Sequence, residues 1–116
     1  MAAEGQNFTL VAGDTVRLAF TAYDSDGTTP LDLAGATIKW QLARDEAGPA
    51  LISKQTGSGI TVTNAAGGTF VVAIAPADTA AITAGGYYHE TQVTDASGNV
   101  STVATGSIAI IPGLIA

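Results

Sequence analysis

The run Val16-Arg17-Leu18-Ala19-Phe20-Thr21-Ala22 ends at the segment Asp24-Ser25-Asp26-Gly27. Every second residue of the run, from Val16 to Ala22, is apolar. Successive side chains of a β-strand point to opposite faces, so a period of two gives the strand one face to bury. Asp and Gly are typical turn residues, and the second segment therefore predicts a turn. Together the two segments predict an antiparallel β domain.

The same alternation recurs along the chain, and clusters of Gly, Pro, Asp and Asn separate the runs. Runs of this kind predict half-buried strands that are joined by turns. Trp40 shares a face with Ile38 and Leu42 in one run, so we expect all three side chains to point inward. Seven or eight strands are predicted, from the runs at residues 7–12, 15–23, 36–44, 50–56, 60–63, 69–75, 87–94 and 100–111.

Two local features complete the predicted fold. Pro76 and the Ala-rich sequence after it predict a short helix over residues 76–82, which ends before Gly85. The alternation of the last strand breaks near Gly106, and this break predicts a β-bulge there. Short strands with no long helix between them favour an all-β, two-sheet antiparallel sandwich that forms one domain over residues 1–116.

Charge and cysteine content restrict the possible functions. Four basic residues are set against ten acidic ones, which gives a net charge of -6 at pH 7. A protein of this sign repels polyanions, so nucleic-acid binding is not expected. The chain has no cysteine, which excludes disulfides, cysteine-ligated zinc and thiol nucleophiles.

Targeting signals are also missing from the sequence. Residues 1–7 have neither the basic start nor the apolar stretch of a signal peptide. No segment has the ~20 apolar residues that span a bilayer. We therefore expect a protein that is made in the cytoplasm and has no membrane partner.

Asp24 and Asp26 resemble the first ligands of a calcium loop, since alternating carboxylates can converge on one hard cation. The later acidic ligands of such a loop are missing, because Thr28, Pro30 and Asp32 follow instead. A plain turn is the favoured interpretation, and no metal ligand or cofactor is predicted.

His89 is the only histidine of the chain, so any mechanism that needs histidine depends on it. Its neighbour Glu90 points to the opposite face of the predicted strand, so strand geometry alone cannot pair the two side chains. The sequence has no Gly-x-Ser-x-Gly motif either. We therefore favour a structural or interface histidine, and we predict no catalytic residue and no enzymatic activity.

Tyr87 and Tyr88 follow a Gly-Gly pair and allow two interpretations. They could form an aromatic platform for sugars. The favoured interpretation is structural, because a tyrosine that enters a strand at such a corner commonly packs in the core and bonds its hydroxyl to nearby backbone.

The C-terminal residues are apolar beyond the point where the last strand ends. Leu114 and Ile115 lie after Pro112-Gly113 and have no obvious place in the same sheet. Apolar residues at a chain end either fold back onto their own domain or pack on a partner, and the sequence leaves both possibilities open. The candidate partner interface consists of Ile111, Leu114 and Ile115.

Five segments follow one another in an order that is typical of one family: Gly13-Asp14-Thr15-Val16, Leu31-Asp32-Leu33-Ala34-Gly35-Ala36-Thr37-Ile38, Pro76-Ala77-Asp78-Thr79, Gly86-Tyr87-Tyr88 and Val93-Thr94-Asp95-Ala96-Ser97-Gly98. By their order and spacing, the chain resembles the immunoglobulin-like domain of small tailed-phage virion proteins. The same domain stands at the N-terminus of phage baseplate upper proteins. Trp40 lies on the strand where immunoglobulin-like domains place their core tryptophan, although the paired cysteines of antibody domains are missing.

This resemblance implies an immunoglobulin-like β-sandwich that serves as a structural subunit of a phage or prophage virion. Its place in the particle would be the tail, the baseplate, an adaptor or a head decoration. The implied partners are other virion proteins and copies of the same chain. The alternative is a carbohydrate-binding or adhesion module that uses Tyr87, Tyr88 and the edge loops.

Overall fold

The fold is known from a computed structural model, which describes residues 7–24 and 26–113. These residues form eight strands and one short helix. In chain order the elements are β1 (Phe8–Val11), β2 (Val16–Thr21), β3 (Thr37–Ala43), β4 (Ala50–Thr56), β5 (Gly59–Asn64), β6 (Thr69–Ile74), α1 (Pro76–Ala80), β7 (Gly85–Thr94) and β8 (Val100–Ile111).

The strands follow the order β1-β8-β7-β3-β4-β5-β6-β2. One layer consists of β1, β8, β7, β3 and β4, and the other consists of β5, β6 and β2. A short parallel contact between β4 and β5 connects the layers, and β1 also runs parallel to β8, whereas the other pairs are antiparallel. The rings of Phe8 on β1 and Phe20 on β2 lie 5.7 Å apart in the core. The fold is an immunoglobulin-like β-sandwich, as the sequence predicted.

The core lies between the two layers and is formed by the predicted inward faces. Ile38, Trp40 and Leu42 of β3 are all fully buried. Residues of β6 face them from the other layer, where Phe70, Val72 and Ile74 are also buried. Removing apolar surface from water stabilises a fold by about 25 cal/mol per Å². The alternation in the sequence therefore identified residues whose burial stabilises the fold.

The short helix α1 covers one end of the sandwich. Pro76 opens it, and the Asp78 carboxylate accepts a hydrogen bond of 2.6 Å from the backbone N–H of Ala75. This bond satisfies a donor that would otherwise be unpaired at the helix start. Thr79 is buried, and its hydroxyl accepts a hydrogen bond of 3.0 Å from the N–H of Gly13. The helix is therefore tied to the turn between β1 and β2, and it ends two residues earlier than predicted.

The predicted bulge near Gly106 is in the wrong place. Gly106 pairs regularly with His89, and the register shifts between Ala104 and Thr102 instead. Val103 is the extra residue, and both Val103 and Ala104 are buried. A bulge bends its strand and allows two consecutive side chains to point inward. Small apolar residues at both positions make this arrangement possible without a clash in the core.

Strand β2 ends two residues earlier than predicted. It ends at Thr21 and not at Tyr23, because the backbone of Ala22 bonds to Gly68 and Leu31, and Tyr23 forms only an isolated bridge.

In the part of the chain that the structure describes, no helix is long and apolar enough to cross a membrane.

Candidate functional site

His89 lies in the core and is fully buried. Its Nδ1 accepts a hydrogen bond of 3.2 Å from the indole N–H of Trp40. The rings of Phe8 and Phe20 are also close, with centroids 5.6 and 6.1 Å from that of the imidazole. No solvent reaches this position, so the geometry supports the structural interpretation of His89.

The loop around Asp26 is a turn that its own carboxylate stabilises. Asp26 accepts hydrogen bonds from the N–H groups of Thr28 and Thr29, at 2.9 and 2.8 Å, and from the hydroxyl of Thr29. The hydroxyl of Thr29, followed by these backbone donors, lowers the pKa of Asp26 to about 2. Within residues 7–24 and 26–113, no group of His, Asp or Glu residues is arranged to hold a metal ion. The geometry agrees with the favoured turn interpretation of Asp24 and Asp26.

Tyr87 is buried, with an exposed fraction of 3%. Its hydroxyl donates a hydrogen bond to the carbonyl oxygen of Thr83, four residues upstream. The guanidinium of Arg44 lies 5.6 Å from the ring centroid. A tyrosine near the start of this strand that bonds back to the backbone is a characteristic of immunoglobulin-like sandwiches. The hypothesis of a sugar platform is therefore wrong for Tyr87, whose ring is not accessible to a ligand.

Tyr88 points to the outer face of the same layer and is half-buried. Its hydroxyl donates a hydrogen bond of 3.0 Å to Oε1 of Glu90. Burial, then the hydrogen bond and charge of Glu90, and finally the charge of Glu46 raise the pKa of Tyr88 to about 12. The phenol therefore stays protonated over the whole neutral pH range.

A groove of about 290 Å³ lies beside Tyr88, between β3, β7 and the loop that connects β3 to β4. We call it the Tyr88 groove. The sheet pairing explains its position, because Ala43 lies opposite Tyr88 and Gln41 lies opposite Glu90. The lining is completed by residues of the loop and of the start of β4, which are Asp45, Glu46, Ala47, Gly48, Pro49 and Ala50.

Among the residues that line the Tyr88 groove, Tyr88 alone was a candidate site residue on the basis of the sequence. Tyr88 and Glu90 are two residues apart, a spacing that places them on one face of a strand. That signal was available in the sequence. The contribution of residues 45–50 to the groove could not be predicted, because alternation indicates strands and contains no information about the path of a loop.

Ile111, the described residue of the candidate partner interface, lies where β1 and β8 pair. Ile111 closes β8 with an exposed fraction of 44%. Its carbonyl oxygen accepts a hydrogen bond of 2.9 Å from the N–H of Ala12, which continues the pairing beyond β1. Further along β8, Oδ1 of Asn7 accepts hydrogen bonds from the N–H and hydroxyl of Ser107, at 2.9 and 3.1 Å. Leu114 and Ile115 lie outside the described residues.

Comparisons with known proteins identify no family for this chain. No protein-family model and no curated protein matches the sequence. Among solved structures, the chain is similar to CopC from Methylosinus trichosporium OB3b, with a TM-score of 0.46 and 13% sequence identity. That match covers 93% of this chain and 85% of CopC. A likeness this distant supports no inference about function.

Proposed function

We propose that the chain is a non-enzymatic structural subunit of a tailed phage or prophage particle, in its tail, baseplate, adaptor or head decoration. It acts by docking onto other virion proteins and onto copies of itself. The order of the turn and strand segments supports a tailed phage or prophage particle, because this order resembles that of phage immunoglobulin-like domains.

The observation that carries this proposal is an uncharged edge of the sandwich. Residues 7–13, which include β1, contain no charged side chain, and neither do residues 96–116, which include β8. The two strands lie side by side, with Phe8 opposite Ile108 and Val11 opposite Ile111. Charged residues are depleted at the centres of protein interfaces. This edge is therefore a place where a chain of net charge -6 can meet a copy of itself without strong repulsion.

Strand geometry supports docking at the same edge. Among the described residues, β1 pairs with β8 alone, so its other side has no strand partner. The unpaired backbone groups of an edge strand are a template for pairing with another chain. Ile111 adds exposed apolar surface at the end of this edge, where the sequence continues with Leu114 and Ile115. Burying such surface against a partner is favourable at about 25 cal/mol per Å².

Ile111→Asp tests the edge directly. We expect the substitution to weaken self-association at least about tenfold, because a carboxylate would have to be buried without a partner in the interface. The fold should be retained, since the side chain at this position is exposed. The measurement is light scattering coupled to size-exclusion chromatography, over a range of protein concentrations.

Leu51→Asp is the matched control. Leu51 is as exposed as Ile111, at 47% against 44%, but lies on β4 and not at the β1–β8 edge. We expect this variant to keep the mass of the unsubstituted protein. An equal loss of self-association in both variants would argue against docking at the β1–β8 edge. An unsubstituted chain that stays monomeric and associates with no purified particle component would argue against the function.

A further inference from the structure

The Tyr88 groove is lined by both apolar and polar groups. On its loop side, Ala47, Pro49 and Ala50 form an apolar wall beside the carboxylates of Asp45 and Glu46. Its sheet side presents the phenol of Tyr88, the Glu90 carboxylate and the Gln41 amide. Small-molecule sites combine apolar walls with a few polar groups that fix the orientation of the ligand. At about 290 Å³, the groove is just below the range of about 300–1,000 Å³ of such sites and fits a small ligand.

The polar groups of the groove both donate and accept hydrogen bonds. The Gln41 amide provides two donors and an acceptor, and no described part of the chain forms a hydrogen bond with it. Tyr88 uses its proton toward Glu90, and its oxygen keeps acceptor capacity. A ligand rich in hydroxyl groups matches this mixture, because each hydroxyl also donates and accepts.

The charges around the groove restrict the ligand further. Its charged lining residues are Asp45, Glu46 and Glu90, and none of its lining residues is basic. Two of these carboxylates are engaged locally, since Asp45 accepts from the N–H of Ala47 at 2.9 Å and Glu90 accepts from Tyr88. An anionic ligand would be repelled at such a site.

We propose that the Tyr88 groove binds a neutral saccharide, whose C–H face packs against Pro49 and the Tyr88 ring while its hydroxyls bond to Gln41 and Glu90. The ring of Tyr88 provides the contact of the alternative sugar-platform interpretation, without Tyr87. This inference does not depend on the proposed assembly role, because the groove and the β1–β8 edge share no residue.

Two-dimensional ¹H–¹⁵N NMR of the full chain tests the proposal. The probes are maltose, lactose and chitobiose as neutral saccharides, sialyllactose as an anionic one, and tetra-arginine as a basic peptide. We expect at least one neutral saccharide to shift the backbone amides of Gln41, Tyr88 and Glu90. Sialyllactose should bind at least about tenfold more weakly than lactose, since the groove carboxylates repel it.

The Gln41→Ala variant identifies the binding site. Gln41 is exposed, so its truncation should leave the spectrum otherwise native, while affinity for the neutral saccharide falls about tenfold. Thr61→Ala on the outer face of β5, in the other layer, is the control and should bind as the unsubstituted chain does. A saccharide with a Kd of ~1 mM would be close to saturation at about 10 mM. The absence of any shift with each neutral saccharide at that concentration would therefore overturn the proposal. Shifts with tetra-arginine alone would overturn it too.

Discussion

Trp40→Ala is expected to lower the free energy of unfolding by about 3–5 kcal/mol. Trp40 is fully buried on β3, so alanine would leave a cavity at the centre of the core. The substitution also removes the N–H group that donates to Nδ1 of His89. Since a domain has only about 5–15 kcal/mol of stability, this variant should be close to unfolding. Urea unfolding followed by far-UV circular dichroism measures the change, because Trp40 is the only tryptophan and its fluorescence is lost.

Trp40→Phe separates the contribution of the buried apolar volume from that of the hydrogen bond to His89. Phenylalanine keeps most of the apolar volume and removes the hydrogen-bond donor, so we expect a smaller loss of about 1–3 kcal/mol. A loss below about 1 kcal/mol for Trp40→Ala would contradict the burial of this side chain and the register of β3.

Gly68→Ala is the second substitution with a large expected effect. Gly68 lies in the turn between β5 and β6 at a φ of +69°, a conformation that L side chains rarely adopt. A Cβ at this position would lie 2.5 Å from the carbonyl oxygen of Ala22 and 2.9 Å from that of Leu31. Neither backbone can move easily, since Ala22 and Leu31 bond to each other and Ala22 also bonds to Gly68. We expect a loss of at least about 2–3 kcal/mol, measured by thermal and urea unfolding.

Gly57→Ala is the matched control for this prediction. Gly57 has a similar φ of +82°, but no atom lies within 4 Å of the position that a Cβ would take. Its substitution should therefore cost only the conformational strain, about 1 kcal/mol. Equal losses at the two glycines would show that the turn at Gly68 does not pack against residues 22 and 31.

The sequence predicted the strands well because period-two alternation is a direct consequence of strand geometry. Ile38, Trp40 and Leu42 were assigned to the core on that ground, and all three are fully buried. The bulge was misplaced because Val103 and Ala104 are both apolar, and the alternation regains its phase only after them. The parallel pairing of β1 with β8 could not be predicted, since it joins residues about a hundred positions apart and no turn connects them.

The candidate sites differ in how far the sequence could predict them. The exposure of Ile111 follows from the alternation, because Ile108 and Ile110 take the inward positions of β8. The structural role of Tyr87 was the favoured interpretation, and its position beside two glycines was the useful signal. The Tyr88 groove could not be predicted from the sequence, because its loop side depends on how residues 45–50 fold over the sheet.

The most direct test of the assembly role is a deletion of residues 113–116, studied by light scattering coupled to size-exclusion chromatography together with thermal unfolding. The deletion removes the apolar Leu114 and Ile115 and leaves the strands of the sandwich complete. We predict that the full chain forms a discrete oligomer, and that the shortened chain keeps a cooperative unfolding transition but has the mass of a monomer. A shortened chain that keeps the oligomeric mass, or that loses its cooperative unfolding transition, would contradict docking through the C-terminal residues.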